Sequence, residues 1–216
     1  MKKVYLNPFA SLLSKRSESS LDNAIKRLSE EHNAPFWYSR IRPGIRSFFV
    51  GNLNYEILDN LLVKLDEFVP ESRFQKNDCA NSKLVVHLIK KKSFDILRGK
   101  NMLKPEAKSV PFYGIELEVN PDAIIVWKDR DGMFHVGAIK TKLRKSAFRV
   151  EEATIIACIL KYYLVSLFPE YIVEDEYCIC YDAFRGKLYS VNNYTQNLIK
   201  ASMIAERIAV RTPEAA

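Results

Sequence analysis

Apolar and polar positions follow two different periods along this 216-residue chain. Over residues 54–68, Ile57, Leu58, Leu61, Leu62 and Leu65 recur at helical spacing, predicting a helix with one buried stripe. A shorter amphipathic helix is expected over 20–32. Another is expected over 82–97, with Ser82 as its N-cap and Gly99 as its stop. Residues 1–20 read as irregular, Pro43-Gly44 as a turn, and 70–82 as a polar loop. From residue 111 the period shortens. Residues 111–119, 123–127 and 133–143 then read as three strands joined by tight turns. Residues 150–168 are apolar almost all round and end at Pro169, which predicts a buried helix. A strand over 171–181, a second over 187–191 and an amphipathic helix over 195–210 complete the chain.

This order predicts an α/β fold with a mixed sheet flanked by helices. The expected organisation is an N-terminal helical extension over 1–80 packed on a core over 81–216. A 48% hydrophobic content is ample for that core, and no run of about 18 uncharged apolar residues marks a membrane span. The N-terminus lacks the pattern of a signal peptide, so the expected setting is cytoplasmic. Such a setting keeps Cys79, Cys158, Cys178 and Cys180 reduced, and their spacing suits small buried apolar side chains rather than a metal site.

Charge adds a partner to the picture. The formal net charge is +7, and Lys140, Lys142, Arg144 and Lys145 form one of two dense cationic clusters. Such clusters suit a polyanion, because binding releases counterions from a phosphate backbone. A second stretch, residues 36–46, mixes aromatics with Arg40, Arg42 and Arg46 and could follow the same backbone.

Candidate chemistry lies beside the first cluster. Arg130-Asp131-Gly132 suits a three-residue hairpin loop closed by a left-handed glycine. That register sets Asp122 opposite Lys140, with Ala138 diagonal to Asp122 on the same face. Apolar residues continue both faces, so an ionised Asp122 and Lys140 require partners: each other, or a metal.

Pro121-Asp122 and Ala138-Ile139-Lys140 resemble the PD-(D/E)XK nuclease signature, with Ala138 standing at the (D/E) position. The element order over about 82–182 is similar to the αβββαβ restriction-endonuclease-like core of that superfamily. The resemblance implies a metal-dependent nuclease, expected to act on DNA. In it Asp122 ligates Mg²⁺ or Mn²⁺, and Lys140 orients water or stabilises charge at phosphorus. The missing carboxylate could come from Glu152, then Glu151, then Glu116; acids at a helix start can equally serve the helix dipole. Lys142, Arg144 and Lys145 are the expected nucleic-acid contacts.

Ala138 also favours a second reading, a catalytically degenerate nuclease fold that binds nucleic acid or serves as a subunit of a defence or repair complex. The outer helices could then meet a protein partner or a second copy of the chain. An Asp–Lys pair that merely closes the hairpin is the structural alternative. His135 should lie on the face opposite Asp122, away from this chemistry.

Overall fold

A computed structural model describes residues 1–13, 15, 17–30, 38–106, 108–143, 145 and 149–211. Among these, seven helices and eight strands form a mixed α/β fold with two sheets. The larger sheet has the order β2-β5-β6-β7-β8, comprising Asn101–Leu103, Ala123–Lys128, Phe134–Lys142, Ile172–Asp182 and Lys187–Tyr189. Strands β6 and β7 are parallel and are joined through α6 (Val150–Leu167); the other neighbours are antiparallel.

Alternation along the central strands feeds two cores. Ile124, Val136, Ala138, Cys178 and Cys180 face one side, together with Ala153, Ile156 and Leu160 of α6. Ala123, Ile125, Ile139, Ile179 and Tyr181 face the other, with helices α3 (Arg42–Val50), α4 (Tyr55–Glu67) and α5 (Arg73–Lys91). Burial on both faces explains why β5–β7 carry apolar runs where a half-exposed strand would alternate. Helix α6 is apolar all round for the same reason, since it is enclosed between the sheet and the N-terminal elements.

Several expected elements form differently. Residues 2–12 are regular: β1 (Lys2–Tyr5) lies parallel to β4 (Ile115–Val119), and α1 (Leu6–Leu12) buries Leu6, Phe9, Ala10 and Leu12. Four strand residues and two helical turns are too short for a period to emerge. The strand expected over 111–119 is a hairpin. Tyr113 at φ 42° and Gly114 at φ 83° fold β3 (Lys108–Phe112) back on β4. Together β1, β4 and β3 make a separate three-stranded sheet, so β4, β5 and β6 are not one meander.

Pro43-Gly44 begins α3 rather than forming a turn. Proline at the first helical positions loses no needed hydrogen bond. Helix α5 begins at Arg73, where the Ser72 hydroxyl accepts from the Gln75 N–H at 3.2 Å, and it ends at Lys91. The expected boundary at residue 80 thus falls inside a continuous helix. Its polar first half is anchored by Asp78, which accepts from the Tyr38 N–H at 2.8 Å. The final helix, α7 (Tyr194–Arg211), turns Ala201, Ala205 and Ile208 inward, while Ile199 and Met203 stay exposed. No helix among the described residues is long and apolar enough to cross a membrane.

Candidate functional site

The β5–β6 hairpin closes as its turn chemistry requires. Gly132 takes φ 81°, the Asp129 N–H donates to Met133 O at 3.1 Å, and Asp129 Oδ1 accepts from the N–H groups of Asp131 and Met133. Register then runs outward to Ala123 opposite Ile139. The Asp122 N–H donates to Ile139 O at 2.7 Å, so the next pair is Asp122 with Lys140. Both lie where β6 and β7 end together, the position at which open α/β sheets tend to present ligand sites.

Asp122 and Lys140 are 3% and 4% exposed, so each must find partners inside the protein. Asp122 Oδ2 accepts from the Thr141 N–H at 2.6 Å, and Oδ1 accepts from Arg46 Nε at 3.4 Å. Arg46 Nη2 also donates to Asn120 Oδ1 at 2.8 Å, and Lys140 Nζ donates to the Asn120 carbonyl. Arg42 sits one turn before Arg46 on α3. Its guanidinium is half-buried; burial lowers its pKa, and Asp122 opposes that shift. Burial pushes the Lys140 ammonium down to about 8. Asp122 opposes that shift, while Arg42, Arg46 and Lys142 reinforce it.

The sequence-predicted residues divide. Glu152 is 2% exposed and lies 3.1 Å from Lys142 Nζ, so it and Lys142 form a buried ion pair. Glu151 points elsewhere and bridges to Lys200 of α7 at 2.6 Å. Glu116 belongs to the smaller sheet, opposite Lys3 of β1, and is not brought to Asp122. Lys145 is exposed, and Arg144 lies outside the described residues. Arg46 and Asn120 are the partners that local spacing did not connect to Asp122. The i, i+4 spacing of Arg42 and Arg46 signals a shared helix face, but nothing local says what that face meets.

The donor set fits a divalent cation poorly. Magnesium takes oxygen ligands, commonly one or two carboxylates plus water and phosphate. Here both oxygens of Asp122 already accept N–H donors, and three further cations act on the same volume. Glu152 is held by Lys142. Among the described residues no three His, Cys, Asp or Glu side chains come together as a metal-ligand group. The four cysteines are free and buried, and burial pushes the Cys178 and Cys180 thiols up, as suits inert core residues.

His135 lies on the opposite face, stacked on Trp127 at 5.3 Å. Its Nδ1 is 2.8 Å from Glu174 Oε1 and its Nε2 3.0 Å from Asp129 Oδ2, an arrangement made for an imidazolium. Hydrogen bonds to Asp129 first, then Glu174, raise its pKa against the effect of desolvation. A raised value stabilises the fold fully below the unfolded pKa of about 6.5 and is lost as pH rises through the folded value. The expected result is a melting temperature that declines from pH 6 to 8.5 with a smaller slope in His135→Gln. Equal slopes would remove His135 from the pH response.

No protein-family model matches the chain, and no curated protein matches its sequence.

Proposed function

We propose that the chain is a nucleic-acid-binding protein on a restriction-endonuclease-like core, degenerate at the catalytic acid and inactive as a metal-dependent nuclease. The PD-(D/E)XK resemblance at Pro121-Asp122 and Ala138-Ile139-Lys140 supports the ancestry. One observation carries the choice of binding over cleavage: a single carboxylate, Asp122, faces Arg42, Arg46 and Lys140. A cation-rich end of a sheet attracts phosphate and repels the metal that in-line hydrolysis would need.

Metal-dependent hydrolysis is the competing reading, favoured by the facing of Asp122 and Lys140. It requires Glu152 to leave Lys142 and become the second ligand. Binding and cleavage of single- and double-stranded DNA in Mg²⁺ and Mn²⁺ separates the two. The expected result is binding that weakens with salt, with a log–log slope of roughly −0.7 to −0.9 per phosphate contacted, and no cleavage. Cleavage that disappears in Asp122→Ala would establish the nuclease instead. Cleavage confined to Ala138→Glu would identify a scaffold disarmed at that one position.

A further inference from the structure

Helix α7 carries an apolar stripe that its own packing does not use. It turns Ala201, Ala205 and Ile208 inward, with Leu198 and Ile204 partly buried against the same core. At about 100° per residue, Ile199, Met203, Glu206 and Val210 share the outer face within an arc of about 60°. The three apolar members are 54%, 64% and 83% exposed, and Glu206 is exposed between them. Single exposed apolar side chains are ordinary. A line of them along one helix face is the pattern by which a helix meets another helix. The neighbouring cations are tied down at the sides: Arg207 bridges to Glu18 and Asp22 of α2 (Glu18–Glu30) at 2.8 and 2.6 Å, and Lys200 to Glu151 of α6 at 2.6 Å. The stripe itself is left facing outward.

Charge decides what can lie on it. The one charge within the stripe is negative, so a phosphate backbone is repelled there. A second copy of α7 fits in one orientation. In a parallel pair each residue meets its own copy, and two Glu206 carboxylates face each other inside the seam, which is unfavourable. In an antiparallel pair centred on Met203, residues equally far from Met203 on either side come level. Glu206 lies about 4.5 Å beyond Met203 along the axis and Lys200 about 4.5 Å before it. Glu206 of one protomer therefore comes level with Lys200 of the partner subunit, and the symmetry makes the pair twice. Lys200 gives up little to reach it, because its present bridge joins side chains 56% and 45% exposed.

We infer that the chain forms an isologous dimer in which α7 packs antiparallel on α7 of a second copy, with Met203 at the two-fold axis and Glu206 facing Lys200 of the partner subunit. The inference does not rest on nucleic-acid binding. A two-fold interface requires one surface to supply both members of every pair. This face does so, with an acid and a base placed equally far from one exposed apolar side chain. One helix face is a small interface, so the expected dissociation constant is on the order of 10 µM.

Sedimentation equilibrium of the full chain from about 1 to 200 µM tests it. The expected result is a reversible monomer–dimer equilibrium. Met203→Lys should weaken association at least about tenfold while circular dichroism and melting temperature stay unchanged, since an exposed side chain supports no core. Glu206→Gln decides the orientation by its sign. Weaker association supports pairing with Lys200, whereas unchanged or stronger association overturns the antiparallel arrangement. Oxidation gives a check independent of affinity, because the four native cysteines are buried. Met203→Cys should link to its own copy. Ile199→Cys should not, since its copy lies about 12 Å away along the axis and a disulfide spans Cα atoms only about 7 Å apart. A chain monomeric throughout the range overturns the inference and leaves the stripe to a different partner. A dimer that Met203→Lys leaves intact overturns α7 as the interface. Neither outcome touches DNA binding, which stands or fails by its own titration.

Discussion

Replacing Asp122 with alanine should destabilise the protein by roughly 1–3 kcal/mol, because a buried N–H loses its acceptor and a buried lysine loses the carboxylate that offsets its charge. Lys140 would remain 4% exposed among Arg42, Arg46 and Lys142 with no facing anion. The Thr141 N–H would also lose its acceptor at 2.6 Å. The pH dependence identifies the cause. Lys140 is already lowered to about 8, below its ordinary value near 10.4, so the unfolded chain binds more protons than the folded one between those values. Stability from this group therefore rises with pH across that window. Without Asp122 the folded value falls further, and the rise should begin at lower pH. Urea midpoints of the variant should recover between pH 7 and 9. Asp122→Ala/Lys140→Met should restore much of the loss at pH 7. Failure of the double variant to recover would place the damage in the Thr141 contact or in packing.

The same pair marks how far local pattern reaches. Asp122 opposite Lys140 follows from a three-residue turn and a period of two, and both are local quantities. Helices α4 and α6 were legible for a like reason, each carrying enough turns for its apolar stripe, or the lack of a polar one, to stand out. Strand β1 was not legible because four residues carry no period, and its partner β4 lies more than a hundred residues away. The break at Tyr113-Gly114 was missed because Val110, Phe112, Ile115 and Leu117 are apolar on both sides of it, so the hairpin reads as one strand. The larger consequence concerns the site. A motif of Asp, Lys and one replaced acid suggests a weakened metal centre when read within the hairpin. The balance shifts only when α3, far away in sequence, brings Arg42 and Arg46 over it. Long-range packing, not the motif, decides which charges gather at the sheet end.

Phe94 is the residue on which that long-range packing turns. It is 1% exposed and makes edge contacts with Phe48 at 5.8 Å, Phe49 at 5.4 Å and Tyr181 at 5.1 Å. Phe48 and Phe49 belong to α3 and Tyr181 to β7, so this ring joins the helix bearing Arg42 and Arg46 to the sheet bearing Lys140. Phe94→Ala should lose roughly 3–5 kcal/mol through the cavity and the severed aromatic contacts. Phe94→Leu should lose considerably less. Nucleic-acid binding should respond more sharply than a remote core position would suggest, because charge-assisted contacts to phosphate depend on where α3 places Arg46. Affinity for single-stranded DNA should therefore fall in Phe94→Ala under conditions where circular dichroism still reports a folded chain. If that affinity survives in a variant that has lost that much stability, α3 must be held in place by the Arg46–Asp122 and Arg46–Asn120 contacts themselves. Those contacts would then position the helix as well as the guanidinium.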